Sequence, residues 1–529
     1  MAAKVLVSDP VAAEGVAILR RAGLEVDVRT GLTKDELIEI IGDYDALAVR
    51  SETKVTADVL EAAKRLKIIG RAGVGVDNID VERATQKGVI VVNSPEGNTI
   101  AAAELTVALL LSLSRSIPQA NASMKAGKWD RKKYVGVEVY GKTAGVVGLG
   151  KIGREVAKRL LGMEMNVLAY DPFLSKEQAD ALGVRLVDLE GIYRHSDYIT
   201  VHVPKTKETA GMVGAEQIAQ MKDGVRLINV ARGGIFQEAA VLEGLQSGKI
   251  AGAAIDVWEE EPTPADNPLA LLPQVVATPH LGASTEEAQV GVAVDIAEQI
   301  VEVMQNRPAR AAVNMPSLAP DVLAKTQPFL TLAEKIGSLQ SQLSTSGVTS
   351  VEIHYQGDFA PGQQLHLTRA VMKGLLTPIL AASVNFVNAP TLAQERGIKI
   401  TEARSQTSED YDNLITVRAV ANSGRECVIS GTIFGAKEAR IVEIDGLRLD
   451  FKPEGFHLVT RHTDRPGIVG KVGTLLGGRD VNIAGMYLGR AAARGHAVMA
   501  LSLDNPVPDE VLREIIALDG MEAARMVEL

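Results

Sequence analysis

Up to residue 95, short apolar runs at 5–7, 24–28, 46–49, 67–70 and 89–93 alternate with stretches whose apolar residues recur at helical spacing. That alternation predicts parallel strands with helices on both faces of a sheet. A second series has apolar runs at 143–147, 166–170, 198–202, 226–230, 251–256 and 275–278. Two series predict an α/β chain with two doubly wound lobes and a cleft between them. Helical patterns over 98–117 and 284–303 read as connections that cross between the lobes. The first lobe is therefore expected to be discontinuous, 1–97 with 285–315, around a Rossmann-type nucleotide lobe at 98–284.

The pattern breaks over 306–320, where Pro308, Pro316 and Pro320 fall among small residues, and a linker is expected there. Residues 316–453 read as an α+β intervening domain with strands at 348–355 and 414–420. Its cations Lys437, Arg440, Arg448 and Lys452 form either an anion site or a solvated face. The tail, 454–529, reads strand, helix, strand, strand, helix, strand, a βαββαβ unit suited to sensing a ligand.

One stretch organises the rest. Gly148-Leu-Gly-Lys-Ile-Gly153 follows the apolar run 143–147 and leads straight into a helical pattern. In such a strand–turn–helix unit the first glycine permits the turn, the second lets a pyrophosphate approach the backbone, and the third lets helix and strand pack closely. The phosphates then meet free amides at the positive end of the helix. The next apolar run ends at Asp171, where a dinucleotide fold places a carboxylate on the ribose hydroxyls. An acid there favours NAD over NADP.

Composition narrows the class. At 529 residues the chain needs several cores, and 46% hydrophobic with 23% charged residues can both fill and cover them. A net charge of −10 argues against a general nucleic-acid binder. The single cysteine, Cys427, leaves no internal disulfide or cysteine metal cluster within one chain and fits a reducing cytoplasm. No signal-peptide core follows Met1, and the apolar stretch 100–113 carries Glu104 and is too short to cross a bilayer. The expectation is a cytoplasmic protein with no membrane partner.

The residues with reactive side chains fall at the carboxyl ends of the strands, where open α/β sheets bind ligands. Removing a hydride from a hydroxyl-bearing carbon needs a base for the hydroxyl proton and a cation for an adjacent carboxylate. His280 suits the base, since imidazole titrates near neutrality. Glu261 can hold the far ring nitrogen, and Arg232 offers a planar fork for the carboxylate. Singly these read as a cap, a solvated acid and a surface arginine; jointly they read as catalytic. Arg50 and Arg71 follow separate strands of the first lobe, and two further arginines suit a second anionic group, most economically a phosphate. The turn Arg71-Ala-Gly-Val-Gly-Val-Asp-Asn78 offers amides to a carboxylate. The basic run 127–133 reads as a solvated loop.

Motifs 146–153 with Asp171, Asn229-Val-Ala-Arg-Gly-Gly234, Asp256-Val-Trp-Glu-Glu-Glu-Pro262 and Thr278-Pro-His-Leu-Gly-Ala-Ser284 resemble the D-isomer-specific 2-hydroxyacid dehydrogenases. Val49-Arg-Ser51, Gly70-Arg-Ala-Gly73 and the tail narrow the resemblance to the long form, with an intervening domain and a terminal ACT domain signalled by His462-Thr-Asp-Arg-Pro-Gly467 and Val481-Asn-Ile483. The resemblance implies NAD-dependent oxidation of D-3-phosphoglycerate on the route to L-serine, with reduction of 2-oxoglutarate as a side activity. It implies that Arg232, Glu261 and His280 are catalytic. It places NAD on Gly148, Gly150, Lys151, Ile152, Gly153, Asp171, Val203, Pro204, Ala231, Arg232, Asp256, His280, Gly282 and Ala283. Substrate falls to Arg50, Ser51, Arg71, Gly73, Val74 and Gly75, with Arg131 reaching the phosphate bound by a neighbouring subunit, which implies a homo-oligomer. L-serine as effector falls to His462, Asp464, Arg465, Pro466, Gly467 and Asn482, between paired ACT domains. Val203 and Val74 depart from the pattern, standing where a threonine is frequent. Two other readings share this fold: a dehydrogenase for an unphosphorylated 2-hydroxy acid, and a dinucleotide-sensing interaction protein.

Overall fold

The computed structural model describes residues 2–316, 320–380, 384–407, 410–435 and 437–529. The first sheet carries Glu25–Val28, Lys4–Val7, Ala46–Val49, Ile68–Arg71 and Ile90–Asn93 in that order across it, all parallel. The chain reverses its direction of winding between Lys4–Val7 and Ala46–Val49, so the loops after them, with Asp9 and Arg50, open at the point where such sheets bind ligands.

The second sheet runs Val275–Ala277, Ile250–Ile255, Val225–Asn229, Tyr198–Val201, Thr143–Val147, Asn166–Tyr170 and Arg185–Leu186, again all parallel. Its reversal lies between Thr143–Val147 and Tyr198–Val201, which puts the glycine turn and His202 at its binding edge. The strands are apolar on both faces because helices cover both.

Two helices run between the lobes. Thr99–Arg115 buries Ala103, Leu109 and Leu110 on the second sheet. Glu286–Met304 returns to the first, where Val292, Ile296 and Ile300 pack against Val5, Ala48 and Ile68. No single helix among the described residues is long and apolar enough to cross a membrane.

The expected linker is only partly one. Val92 and Ala312 form an antiparallel bridge, and the Asn314 side chain bonds the Val91 amide and the Val89 carbonyl, so the chain pairs with the open edge of the first sheet before leaving it. Residues 317–319 of that stretch lie outside the described residues.

The intervening unit is a mixed sheet of Lys399–Ser405, Val348–Gly357, Asn413–Ala421, Glu426–Phe434, Glu438–Ile444 and Leu447–Phe451, covered by Pro320–Leu343 and Gln363–Leu376. The tail forms an antiparallel sheet in the order Ile483–Arg490, His496–Leu503, Phe456–Thr463, Met521–Glu528, with helices Ile468–Gly477 and Asp509–Ile516. One face packs on those helices through Leu458, Met499 and Leu501. The other, through Val459, Val498, Ala500 and Val527, is buried in the intervening core. Arg461 crosses that seam to Asp445 at 2.7 Å.

Candidate active site

The strand Thr143–Val147 delivers Gly148 at φ +92°, a conformation that favours glycine. A Cβ on Gly153 would lie 1.9 Å from the Gly148 carbonyl oxygen, so the helix closes on the turn only with glycine there. Gly150 differs: its φ of −65° suits any residue and its Cβ would meet nothing within 4 Å. Packing of the chain does not demand glycine at 150, and the bare backbone leaves room for a pyrophosphate at the helix N-terminus. Asp171 accepts from the Leu149 amide at 2.8 Å and the Phe173 amide at 2.9 Å, which still leaves lone pairs for ribose hydroxyls. Val203 packs against Gly148, Ile152 against the core of the lobe, and Pro204 is exposed. Lys151 reaches across to Glu96 of the first lobe at 2.7 Å. Burial pushes the His202 imidazole down to about 4, so it stays neutral below the turn, beside Thr200 Oγ1 at 3.0 Å.

His280 stands after the strand Val275–Ala277 at φ +56°, its Nδ1 2.7 Å from Glu261 Oε2. The other carboxylate oxygen of Glu261 accepts from the Trp258 amide at 3.0 Å, and the Trp258 indole donates to the Thr278 carbonyl at 3.1 Å. Burial raises the Glu261 pKa, but the bonds from His280 and the Trp258 amide, with the charges of His280 and Arg232, outweigh it and hold the carboxyl below its ordinary range. Glu261 thus engages Nδ1, and Nε2, without a hydrogen-bond partner among the described residues, is the ring edge left for a substrate. The loop behind is folded by Asp256. It is fully enclosed and accepts from Thr278 Oγ1 and the Leu281 amide at 2.7 Å and from the Gly282 amide at 3.0 Å. Buried and bonded to three donors, Asp256 shapes the backbone at His280, Gly282 and half-buried Ala283.

Arg232 follows the strand Val225–Asn229. The Asn229 amide group donates to the Arg232 carbonyl at 2.9 Å and its oxygen accepts from the Ala231 amide at 3.0 Å, so the turn is pinned. The guanidinium crosses the cleft, with Nε 3.0 Å from Asp77 Oδ2. It lies over Gly75, where a Cβ would come within 1.9 Å of Nη2. Arg71 packs on Gly73 in the same way. Burial first, then the charges of Arg232 and Arg50 against the opposing pull of Asp77 and Asp9, lower Arg71 to about 10, so it remains charged at neutral pH. Its Nε is buried without a partner among the described residues. The Arg50 loop is held by Asp9, which accepts from the Arg50 amide at 2.6 Å, and by Asn78, which donates to the Arg50 carbonyl at 2.8 Å. Ser51 is exposed beside it, and the Val74 carbonyl accepts from Asn93. Arg71 thus has Arg232 and Arg50 as charged neighbours, and Arg232 in turn lies within electrostatic reach of Glu261.

Sequence reading missed Asp9, Asp77, Glu96 and Asn229 as parts of this site. Each is an acid or amide at a strand end, and only the fold shows what it faces.

Other expected residues stay apart. Arg131, in the exposed turn Arg131–Tyr134, makes no ion pair or hydrogen bond among the described residues. The six effector residues do not meet within one chain. Asp464, paired with Arg490 at 2.9 Å, and Arg465, paired with Asp519 at 2.9 Å, lie beyond the Thr463 end of the central strand, with exposed Pro466 and with Gly467 opening the helix. Asn482 bonds Asp504 at the opposite end, where Ile483 and Phe456 both align with Leu503. Strands of eight residues separate the two groups by roughly 25 Å. His462 is buried, its Nδ1 3.2 Å from Thr460 Oγ1. In the intervening unit Arg440 and Lys452 share Glu438, and Arg448 pairs with Asp410, so most of that cationic cluster is already neutralised.

Residues 107–282 match the profile of the D-isomer specific 2-hydroxyacid dehydrogenase NAD binding domain, 325–445 that of the D-3-phosphoglycerate dehydrogenase intervening domain, and 457–520 that of the ACT domain. A protein of Archaeoglobus fulgidus named D-3-phosphoglycerate dehydrogenase is 50% identical over 528 residues, covering 99% of this chain and 100% of that one. The chain belongs to the D-3-phosphoglycerate dehydrogenase family. A family relative from Synechocystis sp. is 49% identical over 100% of this chain and 95% of its own. Among solved structures, a protein of Thermus thermophilus is 34% identical with a TM-score of 0.55, covering 59% of this chain and 99% of that one. An NAD-dependent formate dehydrogenase of Staphylococcus aureus, solved with NAD, is 28% identical with a TM-score of 0.53, covering 58% and 96%. As a member of this family the chain is an NAD-dependent oxidoreductase, and the room at Gly150 fits that cofactor.

Proposed function

We propose that the cleft oxidises D-3-phosphoglycerate to 3-phosphohydroxypyruvate, the entry step to L-serine. The observation that carries this reading is the grouping of Arg50, Arg71 and Arg232, the last of them within electrostatic reach of the His280–Glu261 pair. A 2-hydroxy acid needs one cation for its carboxylate; the other two suit a phosphate, which carries close to two negative charges at neutral pH. His280 Nε2 takes the hydroxyl proton as the same carbon releases its hydride. Glu261 steadies the imidazolium through Nδ1, and Arg232 grips the carboxylate. NAD, when bound, supplies the hydride acceptor. The turn opened by Gly148 and closed by Gly153 would hold its phosphates at Gly150, and Asp171 would hold its ribose. The domains in this reading are 1–97 with 285–315 for substrate, 98–284 for NAD, 316–453 intervening and 454–529 regulatory.

Arg50→Ala separates a phosphorylated substrate from an unphosphorylated one. The expected result is a KM for D-3-phosphoglycerate raised about 10- to 100-fold with D-glycerate little affected, since losing one charge-assisted contact costs about 1.5–3 kcal/mol. Equal effects on both acids would remove the phosphate assignment. Reduction of 2-oxoglutarate, which offers a carboxylate beside its keto group, is the side activity of the same grip.

Two further elements complete the proposal. The exposed Trp129, Val135 and Tyr140 flank Arg131, and a second copy covering them brings Arg131 to its neighbour's phosphate. The separation of Asp464 from Asn482 supports an L-serine site formed by two ACT units, each supplying one end. Serine at millimolar concentration is then expected to depress NADH formation, and Asn482→Ala to abolish that effect while sparing turnover without serine. Activity indifferent to serine would remove the feedback assignment. The one cysteine, half-buried and with its thiol pushed up to about 12 by burial, is consistent with a cytoplasmic enzyme.

A further inference from the structure

The Arg232 guanidinium has five N–H donors, and the structure accounts for two of them. Nε donates to Asp77 Oδ2 at 3.0 Å and Nη1 to the Ala231 carbonyl at 2.6 Å. A guanidinium is planar, so two anchors at different edges fix its orientation, and the Nη2 edge is left for a ligand. Asp77 and Arg232 come from different lobes, and both sit on pinned backbone. On the Asp77 side, Asn78 donates to the Arg50 carbonyl at 2.8 Å and to the Thr53 carbonyl at 2.7 Å, while Asn93 bonds the Val74 carbonyl. On the other side Asn229 holds both Ala231 and Arg232. Gly75, between these ties, leaves the space in which Nη2 lies.

We propose that Asp77 is a positioning residue for the oxidation: it holds the Nε edge of Arg232 across the cleft and so aims the Nη2 edge at the substrate carboxylate. The inference rests on the active-site reading above. Its electrostatic side follows from the same geometry. Arg50, Arg71 and Arg232 repel one another, and Asp77 is the carboxylate that bridges to this trio from the substrate lobe, while Asp9 is engaged by the backbone amides of Arg50 and Thr53. Without Asp77, Arg232 is both unaimed and pushed away from its neighbours. The Asp77 side chain is largely exposed, so its removal leaves the core untouched.

The test is steady-state kinetics of Asp77→Asn, Asp77→Ser and Asp77→Glu in the full-length enzyme, with NADH affinity and the thermal midpoint measured alongside. The first two are expected to lower kcat for D-3-phosphoglycerate by about 10- to 100-fold, the cost of a misplaced catalytic group. KM should rise as kcat falls, since the carboxylate that Arg232 grips carries its charge before the reaction as well as during it. Asp77→Glu, which keeps the charge, should recover part of the loss. NADH affinity and the thermal midpoint should not move. In an Arg232→Lys background, which has no Nε edge to hold, Asp77→Asn should cost nothing more. An unchanged kcat, a lowered KM, or losses that multiply in the double variant would each overturn the inference; a lowered KM would mean that Asp77 competes with substrate for the guanidinium. Arg232→Ala keeps the two readings distinguishable. If it retains full turnover, the active-site reading fails; if it is inert while Asp77→Asn behaves as wild type, only the role of Asp77 fails.

Discussion

Replacing His280 with alanine is expected to lower kcat by about 10²- to 10⁴-fold, the range that general acid–base groups contribute, while NADH still binds. The geometry gives the reason for the split. The imidazole is held through Nδ1 by Glu261 at 2.7 Å, so its catalytic edge is Nε2. The backbone of the loop, by contrast, is folded by Asp256, which contacts amides and Thr278 and not the imidazole. Removing the ring therefore deletes a proton acceptor without dismantling the loop. Stopped-flow measurement of NADH fluorescence with steady-state turnover checks both halves, and an active variant would end the assignment of His280 as the base.

The second large effect separates two glycines of one motif. Gly153→Ala drives a methyl to within 1.9 Å of the Gly148 carbonyl oxygen, and that oxygen belongs to a turn fixed at φ +92°. Overpacking of this kind costs about 1–3 kcal/mol, and the helix must move off the strand. Both the thermal midpoint and NADH affinity should fall. Gly150→Ala places its methyl in open space at an ordinary φ, so the free protein should keep its midpoint. Its NADH affinity should nevertheless drop by tenfold or more, about 1.4 kcal/mol, because the methyl takes the room left for the pyrophosphate. Thermal unfolding with and without NADH reads both variants. If Gly150→Ala binds NADH as wild type, the phosphates do not lie against that turn.

The two parallel lobes were legible because strands buried on both faces read as unbroken apolar runs. The run 143–147 is a strand with those bounds, that at 198–202 ends one residue earlier, and that at 226–230 is displaced by one residue at both ends. The intervening sheet was mostly invisible. Glu438–Ile444 and Lys399–Ser405 are half-solvated strands in which charged residues alternate with apolar ones, and Arg185–Leu186 is too short to carry a period. Within the site, the pairing of His280 with Glu261 could be anticipated from chemistry, since imidazole and carboxylate have one evident way to cooperate. The Arg232–Asp77 contact could not, because it joins residues 155 positions apart and depends on how the lobes face each other.

The seam between the ACT sheet and the intervening unit bears on how the proposed response to serine can be removed. Val459, Val498, Ala500 and Val527 are part of the same apolar core as Leu339 and Tyr355, so the tail is a wall of that core and not an appendage hung from it. Cutting the chain at residue 454 would uncover greasy surface and strand Asp445 without its guanidinium. The proposed serine response is therefore best tested by single substitutions on the outer faces of the tail, with the wall left standing.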